Sequence, residues 1–538
     1  MVYTDYDDDE GFDEQEVGPV SIGQVGGGSQ KKAHTSTMLL RRKCFGIPFV
    51  YLVGILLLAL MGIVFVASSS KSNSKKTGES AATQKSHQAN ATPEPTAAPK
   101  PKKTPRPTPH PTRPTEPTVS PTQYPTRLEL DEETTWVQLG NDVGGITSAP
   151  GNFGISVGVS GDGKTFAEGA HMAIGKEAAT GHVRVFQYNE RKFVWEQRGS
   201  ELTGEKPGDE FGFAIDLSRD GRQVAVGAPG APRHIGPRFG YFAVYQWNET
   251  LGDWWRMGPD KWGIEENDEA GFDLCISEDD GLLVVGAPGN SKKGKESGEV
   301  RVFQYMHKTD RWIRRGQDLS GEGAGDKFGF SVAVSDNGMI VAAGAPYNDD
   351  AGFNAGHVRV FAYNHTNNQR YHKLSRTIVG RGPDDNFGYS VSLSKDGLIV
   401  AAGAPSATSP TGQPLVGYVE IHKYDEAENK WHKIGKPVFG KYAYEGFGKS
   451  VVLSEDGHTM VVGAPDKKDS RGAIRTFKYL PEKDEWVQIG QEIEGDGDYD
   501  FWGDEVTASA DGRIIVSGGN NFDGLEQGAG HVRVYRGV

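Results

Sequence analysis

From about residue 136 onward, short runs in which apolar and polar residues alternate recur along the chain, each too short for a helix and each closed by a turn signal. The clearest copy begins at Phe328-Gly329 and opens with Ser331-Val-Ala-Val-Ser335, followed by the tight-turn pair Asn337-Gly338. A second run, Met339 to Ala343, ends in Gly344-Ala345-Pro346, where proline cannot continue a central ladder. A variable loop leads to Gly356-His357 and a third run, Val358 to Tyr363. A fourth run carries an aromatic residue, Tyr371 here and elsewhere a Trp followed four residues later by Gly, as in Trp195/Gly199, Trp312/Gly316 and Trp486/Gly490.

Phe-Gly or a near variant opens each copy: Phe153-Gly154, Phe211-Gly212, Ala270-Gly271, Phe328-Gly329, Phe387-Gly388, Phe447-Gly448 and Phe501-Trp502. The spacings are 58, 59, 58, 59, 60 and 54 residues. Four short antiparallel strands repeated seven times predict an all-β fold, a seven-bladed β-propeller. The seventh copy stops after its third run, Val532 to Tyr535, while an orphan fourth run, Trp136-Val-Gln-Leu-Gly140, precedes the first copy. A linear array has no use for that arrangement. A ring does, because the N-terminal strand completes the last blade and removes both edges.

The rest of the chain has a different composition. Residues 1–44 are polar, with an acidic run from Asp5 to Glu16, and read as a disordered tail on the cytosolic side. Residues 45–67 carry no charge. At roughly 1.5 Å per residue this run reaches some 33 Å, enough for one transmembrane helix. Arg41, Arg42 and Lys43 just before it favour a cytosolic N-terminus, that is, a type II signal-anchor. Cys44 beside them is a candidate for lipidation. Residues 68–126 form a Pro/Thr-rich stalk, holding 12 of the chain's 29 prolines between Pro93 and Pro125. Residues 127–538 are then the propeller. The glycosylation sequons at Asn90, Asn248 and Asn364 all follow the span, in keeping with an extracellular propeller at the plasma membrane; a lumenal propeller in the Golgi is the alternative. The net charge of -14, with no basic patch in the propeller, argues against nucleic acid as a partner. The two cysteines, Cys44 and Cys275, lie on opposite sides of the span and cannot pair.

The succession Phe-Gly, Gly-Ala-Pro, then Gly-x-Val-x-Val-Phe resembles the FG-GAP repeat of integrin α-subunit propellers, over about 400 residues. Gly227-Ala-Pro229, Gly286-Ala-Pro288, Gly344-Ala-Pro346, Gly403-Ala-Pro405 and Gly463-Ala-Pro465 are intact. The resemblance implies an adhesion or recognition module and, in integrin-type repeats, calcium in the loop between strands 1 and 2. Here those loops are two-residue turns such as Asp220-Gly221, too short to give calcium its six or more oxygens. Asp496, Asp498, Asp500 and Asp504 have the required 1, 3, 5, 9 spacing and are the candidate metal ligands; no other cofactor is implied. The span precedes the propeller and no legs follow it, so an integrin-style β subunit is not implied.

Alternating strand direction gives the propeller two faces. The strand 1–2 turns are uniform, and two sequons, Asn248 and Asn364, fall on their side. The strand 2–3 loops are long and all different, as a recognition surface for a protein or glycan ligand requires. On that face His171, Arg233, His234, Asn348, Asp349, Asp350, Asn521 and Asp523 are the candidate ligand contacts. An acid two residues before the Phe-Gly position, Asp209, Asp268, Asp326, Asp385 or Glu445, reads as a cap on the backbone, with a cation-binding ring as the alternative. No His-Glu-x-x-His sequence is present, and Gly154-Ile-Ser-Val-Gly158 and Gly158-Val-Ser-Gly-Asp-Gly-Lys-Thr165, which spell Gly-x-Ser-x-Gly and the Walker pattern, overlap in one short strand-like run and its tight turn with no helix signal after them, so the expectation is a binding protein with no catalytic residues rather than an enzyme. A membrane-tethered enzyme acting on glycans and a structural matrix component are the alternatives.

Overall fold

A computed structural model describes residues 130–131, 133–145, 152–173, 179–232, 236–278, 281–366, 369–520 and 529–538. All belong to the unit Glu116–Val538. The expected tail, membrane helix and stalk, with Cys44 and Asn90, lie outside the described residues. Among the described residues no helix is long and apolar enough to cross a membrane.

Seven antiparallel sheets follow one another in sequence order. The fourth blade pairs Val332–Val334, Ile340–Ala345, His357–Asn364 and Arg370–Lys373 in order, and Ile378–Val379 continues the outer strand along His357–Asn364. The innermost strands of neighbouring blades touch all the way round, including those of the seventh and first blades. These innermost strands line a central channel.

Ring closure takes the predicted form. Trp136–Gln138 pairs with His531–Gly537, matching Trp136 to Gly537 and Gln138 to Tyr535. The outer-strand indoles explain the Trp-x-x-x-Gly pattern. Each donates its Nε1–H to a carbonyl of the preceding blade: Trp195 to Leu139 at 2.7 Å, Trp312 to Met257 at 2.8 Å, Trp486 to Ile434 at 3.1 Å. The pattern's glycine makes room for the next indole. A Cβ on Gly490, whose φ is +65°, would stand 2.7 Å from Trp136 Cδ1. Nothing larger fits there.

The Phe of each Phe-Gly is wholly buried between blades, as at Phe211, Phe328, Phe387 and Phe447. The seventh copy corrects the expected register by one residue. Trp502, fully buried, bridges Gly472 as Phe387 bridges Gly356, so Trp502-Gly503 is the true equivalent and Phe501 precedes it. Phe501 has φ +54°, matching Lys327 at +52° and Asn386 at +56° just before their own Phe-Gly. The apparent Phe501 motif arose because an aromatic residue happened to occupy that left-handed position.

Candidate functional site

With the register fixed, residues at one offset from Phe-Gly form rings around the channel. Three residues on lie Ser156, Ala214, Asp273, Ser331, Ser390, Ser450 and Glu505. Five residues on lie Asp216, Cys275, Ser392 and Thr507, among smaller or apolar partners. Several tie one blade to the next by accepting a backbone N–H: Asp216 Oδ2 from Ile276 at 2.8 Å, Asp273 Oδ2 from Val332 at 2.7 Å, Ser331 Oγ from Val391 at 3.0 Å. Ser392 and Ser450 accept likewise from Leu453 and Val506. Acids stand where serine would serve the ladder equally well.

Those acids are costly to ionise. Burial raises the Asp273 carboxyl to about 7, against the lowering effect of its bonds from Val332 and Leu274, and Asp216 adds to the rise. Burial raises Asp216 to about 6 and lifts Glu505 well above the usual carboxylate range, with Asp273 and Asp504 adding to the latter. The Cys275 thiol is also pushed up by burial and by Asp216, so it stays protonated and unreactive.

Two residues after Phe-Gly, at the mouth of the channel, stand Ile155, Phe213, Phe272, Phe330, Tyr389, Lys449 and Asp504. Phe213, Phe272, Phe330 and Tyr389, from blades two to five, pack one against the next as tilted rings with centroids 4.9, 4.9 and 4.8 Å apart. His171 extends this half-collar, 5.3 Å from Phe213, and Tyr347 lies against Phe330 at 6.0 Å. Burial holds His171 near pKa 4, so its ring is neutral. The other half is ionic. Lys449 Nζ lies 2.5 Å from Asp504 Oδ1, and Asn520 Nδ2 donates to the other Asp504 oxygen at 3.1 Å. The collar residues are half-buried, as expected for side chains that face an opening rather than a blade core. The mouth opens on the face of the strand 2–3 loops, where Phe353, Tyr442, Tyr444 and Tyr499 stand exposed.

The opposite end is closed. Arg219, Asp336, Lys395 and Glu455, from four different blades, meet there: Arg219 with Asp336 at 3.3 Å and Glu455 at 2.7 Å, Lys395 with Asp336 at 2.9 Å and Glu455 at 3.6 Å. Around them the Ser-x-Asp-Gly turns are self-contained. In the second blade Ser218 Oγ donates to Asp220 Oδ1 at 2.7 Å while Asp220 Oδ1 accepts Arg222 N at 2.9 Å. Ser394/Asp396, Ser454/Asp456 and Ser509/Asp511 repeat the arrangement. The carboxylates of these uniform turns are occupied by the turns themselves.

The acids before Phe-Gly cap backbone, as the first of the two expectations had it. Asp209 Oδ2 accepts Glu205 and Lys206 N–H at 2.9 Å each, and Asp385 Oδ2 accepts Gly382 N–H at 2.8 Å. Asp268 and Glu445 also hold a buried arginine, Arg301 at 3.0 Å and Arg475 at 2.8 and 2.7 Å. Asp500 joins this series in the corrected register, accepting Gly497 N–H at 2.6 Å. Its neighbours in the proposed calcium set turn elsewhere: Asp496 to Arg533 at 2.5 Å, Asp498 to Arg471 at 2.9 Å and Asp504 to Lys449. The 1, 3, 5, 9 spacing spans successive turns that lead up to the strand Val506–Ala508, so the four side chains diverge; no three of them bring carboxylate oxygens within 4.8 Å of one another.

Of the expected ligand contacts, His171 reaches the collar. Asn348 is buried and structural, donating to Asp326 Oδ2 at 3.1 Å and accepting Asp350 N–H at 3.1 Å. Asp349 and Asp350 are exposed in the same loop. Arg233, His234, Asn521 and Asp523 lie outside the described residues. The collar itself escaped the sequence reading, although its signal was present: an aromatic two residues after Phe-Gly in four consecutive copies.

The FG-GAP repeat family model matches residues 320–361, the end of blade three and most of blade four. No curated protein sequence matches the chain. Among solved structures the fold is similar to the periplasmic gluconolactonase of Pseudomonas aeruginosa, at 15% identity and a TM-score of 0.43, over 67% of this chain and 98% of that one. A protein of Bacteroides fragilis described as a candidate 6-phosphogluconolactonase matches at 15% identity and a TM-score of 0.42, over 68% of this chain and 96% of that one. One of Bacteroides uniformis, similarly described, matches at 13% and 0.44, over 62% and 84%. The expectation that the chain is not an enzyme is corrected here. Structures described as a gluconolactonase and as 6-phosphogluconolactonases are among the similar ones, at 13–15% identity.

Proposed function

From the premise that this chain is an FG-GAP repeat β-propeller, we propose that it is a single-pass type II membrane protein. In this reading residues 45–67 cross the plasma membrane and residues 68–126 hold the propeller outside the cell. Its task is to recognise an extracellular protein or glycan at the channel mouth. Glycans at Asn248 and Asn364 would sit on the uniform face and leave the mouth clear.

The observation that carries this is the half-collar of Phe213, Phe272, Phe330 and Tyr389 above Asp273 and Glu505. Aromatic faces over carboxylates suit a group with an apolar body and a donor-rich tip: a basic side chain of a protein ligand, or a sugar. The plug at the far end makes the channel a socket rather than a pore. The full chain in detergent, applied to protein and glycan arrays, should retain a ligand that Phe330→Ala releases. Retention unchanged by Phe330→Ala and by Phe272→Ala would refute the mouth as the seat.

A second reading, a tethered hydrolase, is favoured by one observation. Asp273 and Glu505 are channel acids from different blades that feel one another's charge, and burial shifts both upward, as perturbed carboxyls at reactive sites are. Turnover of an array ligand that Glu505→Gln abolishes without loss of binding would establish it in place of simple recognition.

A further inference from the structure

We infer a binding site for a divalent transition metal in blade four, built from His357, Asp350 and Glu322. His357 begins the third strand, Asp350 lies in the strand 2–3 loop and Glu322 in the strand 4–1 loop leading into the blade. The site therefore opens on the same face as the channel mouth but stands two strands further out. One imidazole nitrogen and one oxygen from each carboxylate lie within 4.8 Å of one another. Around zinc such ligands stand about 3.3 Å apart, from metal–ligand bonds of roughly 2.1 Å. Both carboxylates are exposed on loops, so a rotamer change closes the difference.

His357 supplies the second, independent sign. Its side chain is fully buried, yet neither Nδ1 nor Nε2 has a hydrogen-bond partner. Leaving both nitrogens bare costs free energy that native interiors normally avoid by pairing or ligation. Arg359 is set as an outer support. Its guanidinium donates to Ser320 O at 2.8 Å, stands 3.4 Å from Glu322 Oε1, and lies 3.8 Å over the Phe328 ring. An imidazole with two carboxylates suits zinc, manganese, iron or cobalt rather than calcium or magnesium, and three protein ligands leave a position for water or a ligand group.

The sequence Gly-His-Val-Arg-Val occurs three times, at His182, His357 and His531, and the other two rings pack against the aromatic of their own blade, Phe153 at 4.9 Å and Trp502 at 5.2 Å. Packing alone accounts for a histidine there. It does not account for acids arriving from both loops, and among the described residues this happens only around His357.

The test is titration of the metal-free full chain with Zn2+ by calorimetry and with Co2+ by visible absorption. The exposed trio Asp425, Glu428 and His432 is silenced by His432→Ala in every sample. One saturable equivalent with ligand-field bands is expected. Glu322→Gln and Asp350→Asn, both at exposed positions, should each weaken it by roughly tenfold to a hundredfold, the range found for disturbed metal shells. His357→Phe, which keeps an aromatic filler, should abolish the bands, while His182→Phe should leave them. No saturable equivalent, or one that survives Glu322→Gln, Asp350→Asn and His357→Phe, would overturn the site.

Discussion

Trp136→Ala puts ring closure to the test. The indole is 3% exposed, on a strand that lies some 350 residues from its neighbours Ile489 and Gln491 in the chain. Burying an aromatic side chain removes about 150–250 Å² from water. At about 25 cal/mol per Å² that is some 4–6 kcal/mol, and measured truncations of buried Phe and Trp cost about 3–5 kcal/mol. The indole's bond to Ile489 O is long, 3.5 Å, and adds little. Gln491 clasps the backbone of Trp136 at 2.9 and 2.6 Å and survives the substitution. The expected loss is therefore about 4 kcal/mol, nearly all of it from burial. Trp312, 1% exposed inside blade three, is the reference, because its packing does not depend on closure. Urea denaturation followed by far-UV circular dichroism should give Trp136→Ala and Trp312→Ala similar losses in one cooperative transition. In an open array the first strand would fray, and Trp136→Ala would cost under about 1 kcal/mol, like an ordinary surface change. That result, with a full loss for Trp312→Ala, would refute closure.

Other expectations are independent of that one. Arg475→Met should destabilise by about 3–5 kcal/mol in denaturant melts, because it strands Glu445, fully buried and held bidentately at 2.8 and 2.7 Å, without its cation. Asp273→Ser copies the serine found at the same offset in four other blades; since Asp273 has its folded pKa raised to about 7, its folded form holds a proton that the unfolded chain gives up near pH 4, and wild-type stability relative to the variant should fall as pH rises from about 4 to 7. Denaturation midpoints at pH 5 and 8 would show it, with the variant gaining up to a few kcal/mol at pH 8, because holding one extra proton costs about 1.4 kcal/mol per pH unit across that interval. His182, held near pKa 4 by burial and by Arg184, acts oppositely: its contribution is present above about pH 6.5 and is lost as pH falls through 4, so His182→Phe should flatten the acid limb of the same profile. Ser454→Ala should cost about 1 kcal/mol in thermal melts, the usual loss for one cap in a uniform turn.

The fold was legible because its rules are local and repeated. Alternation gives strands, Asn337-Gly338 gives a turn, and the displaced Trp136 segment gives closure, all without long-range information. The register of blade seven was not. Phe501 and Trp502 are both aromatic, and only the interblade bridge of Trp502 to Gly472 decides which is buried. The calcium reading failed to converge for a similar reason. Spacing along a chain predicts convergence only if the backbone curls around one point, and the segment from Asp496 to Asp504 instead runs through separate turns toward the strand that begins at Val506. The collar was hidden differently. No copy shows it alone, since Phe213 means nothing until Phe272 and Phe330 are placed beside it by the ring. Asp273 and Glu505 were hidden in the same way, as single substitutions in serine-rich positions 232 residues apart whose proximity is created by closure.

Repetition and function divide the propeller along one line. Ser-x-Asp-Gly satisfies its own polar groups in blades one, two, five, six and seven, and Ser335-Asp-Asn-Gly338 does the same in blade four, so these turns leave their side chains little to bind with. The position two residues after Phe-Gly packs mainly against its equivalents in neighbouring blades, and it differs from blade to blade. Around the ring that variation yields one aromatic arc, blades two to five, and one ionic arc, Lys449 with Asp504. Burial alone would lower the Lys449 ammonium, but Asp504 outweighs it and the net shift is upward, so the ammonium stays charged in any ordinary buffer. A guest in the mouth therefore meets an apolar wall on one side and a fixed dipole on the other. That asymmetry would give any guest of a sevenfold framework a single preferred orientation, which a uniform collar of seven identical residues would not.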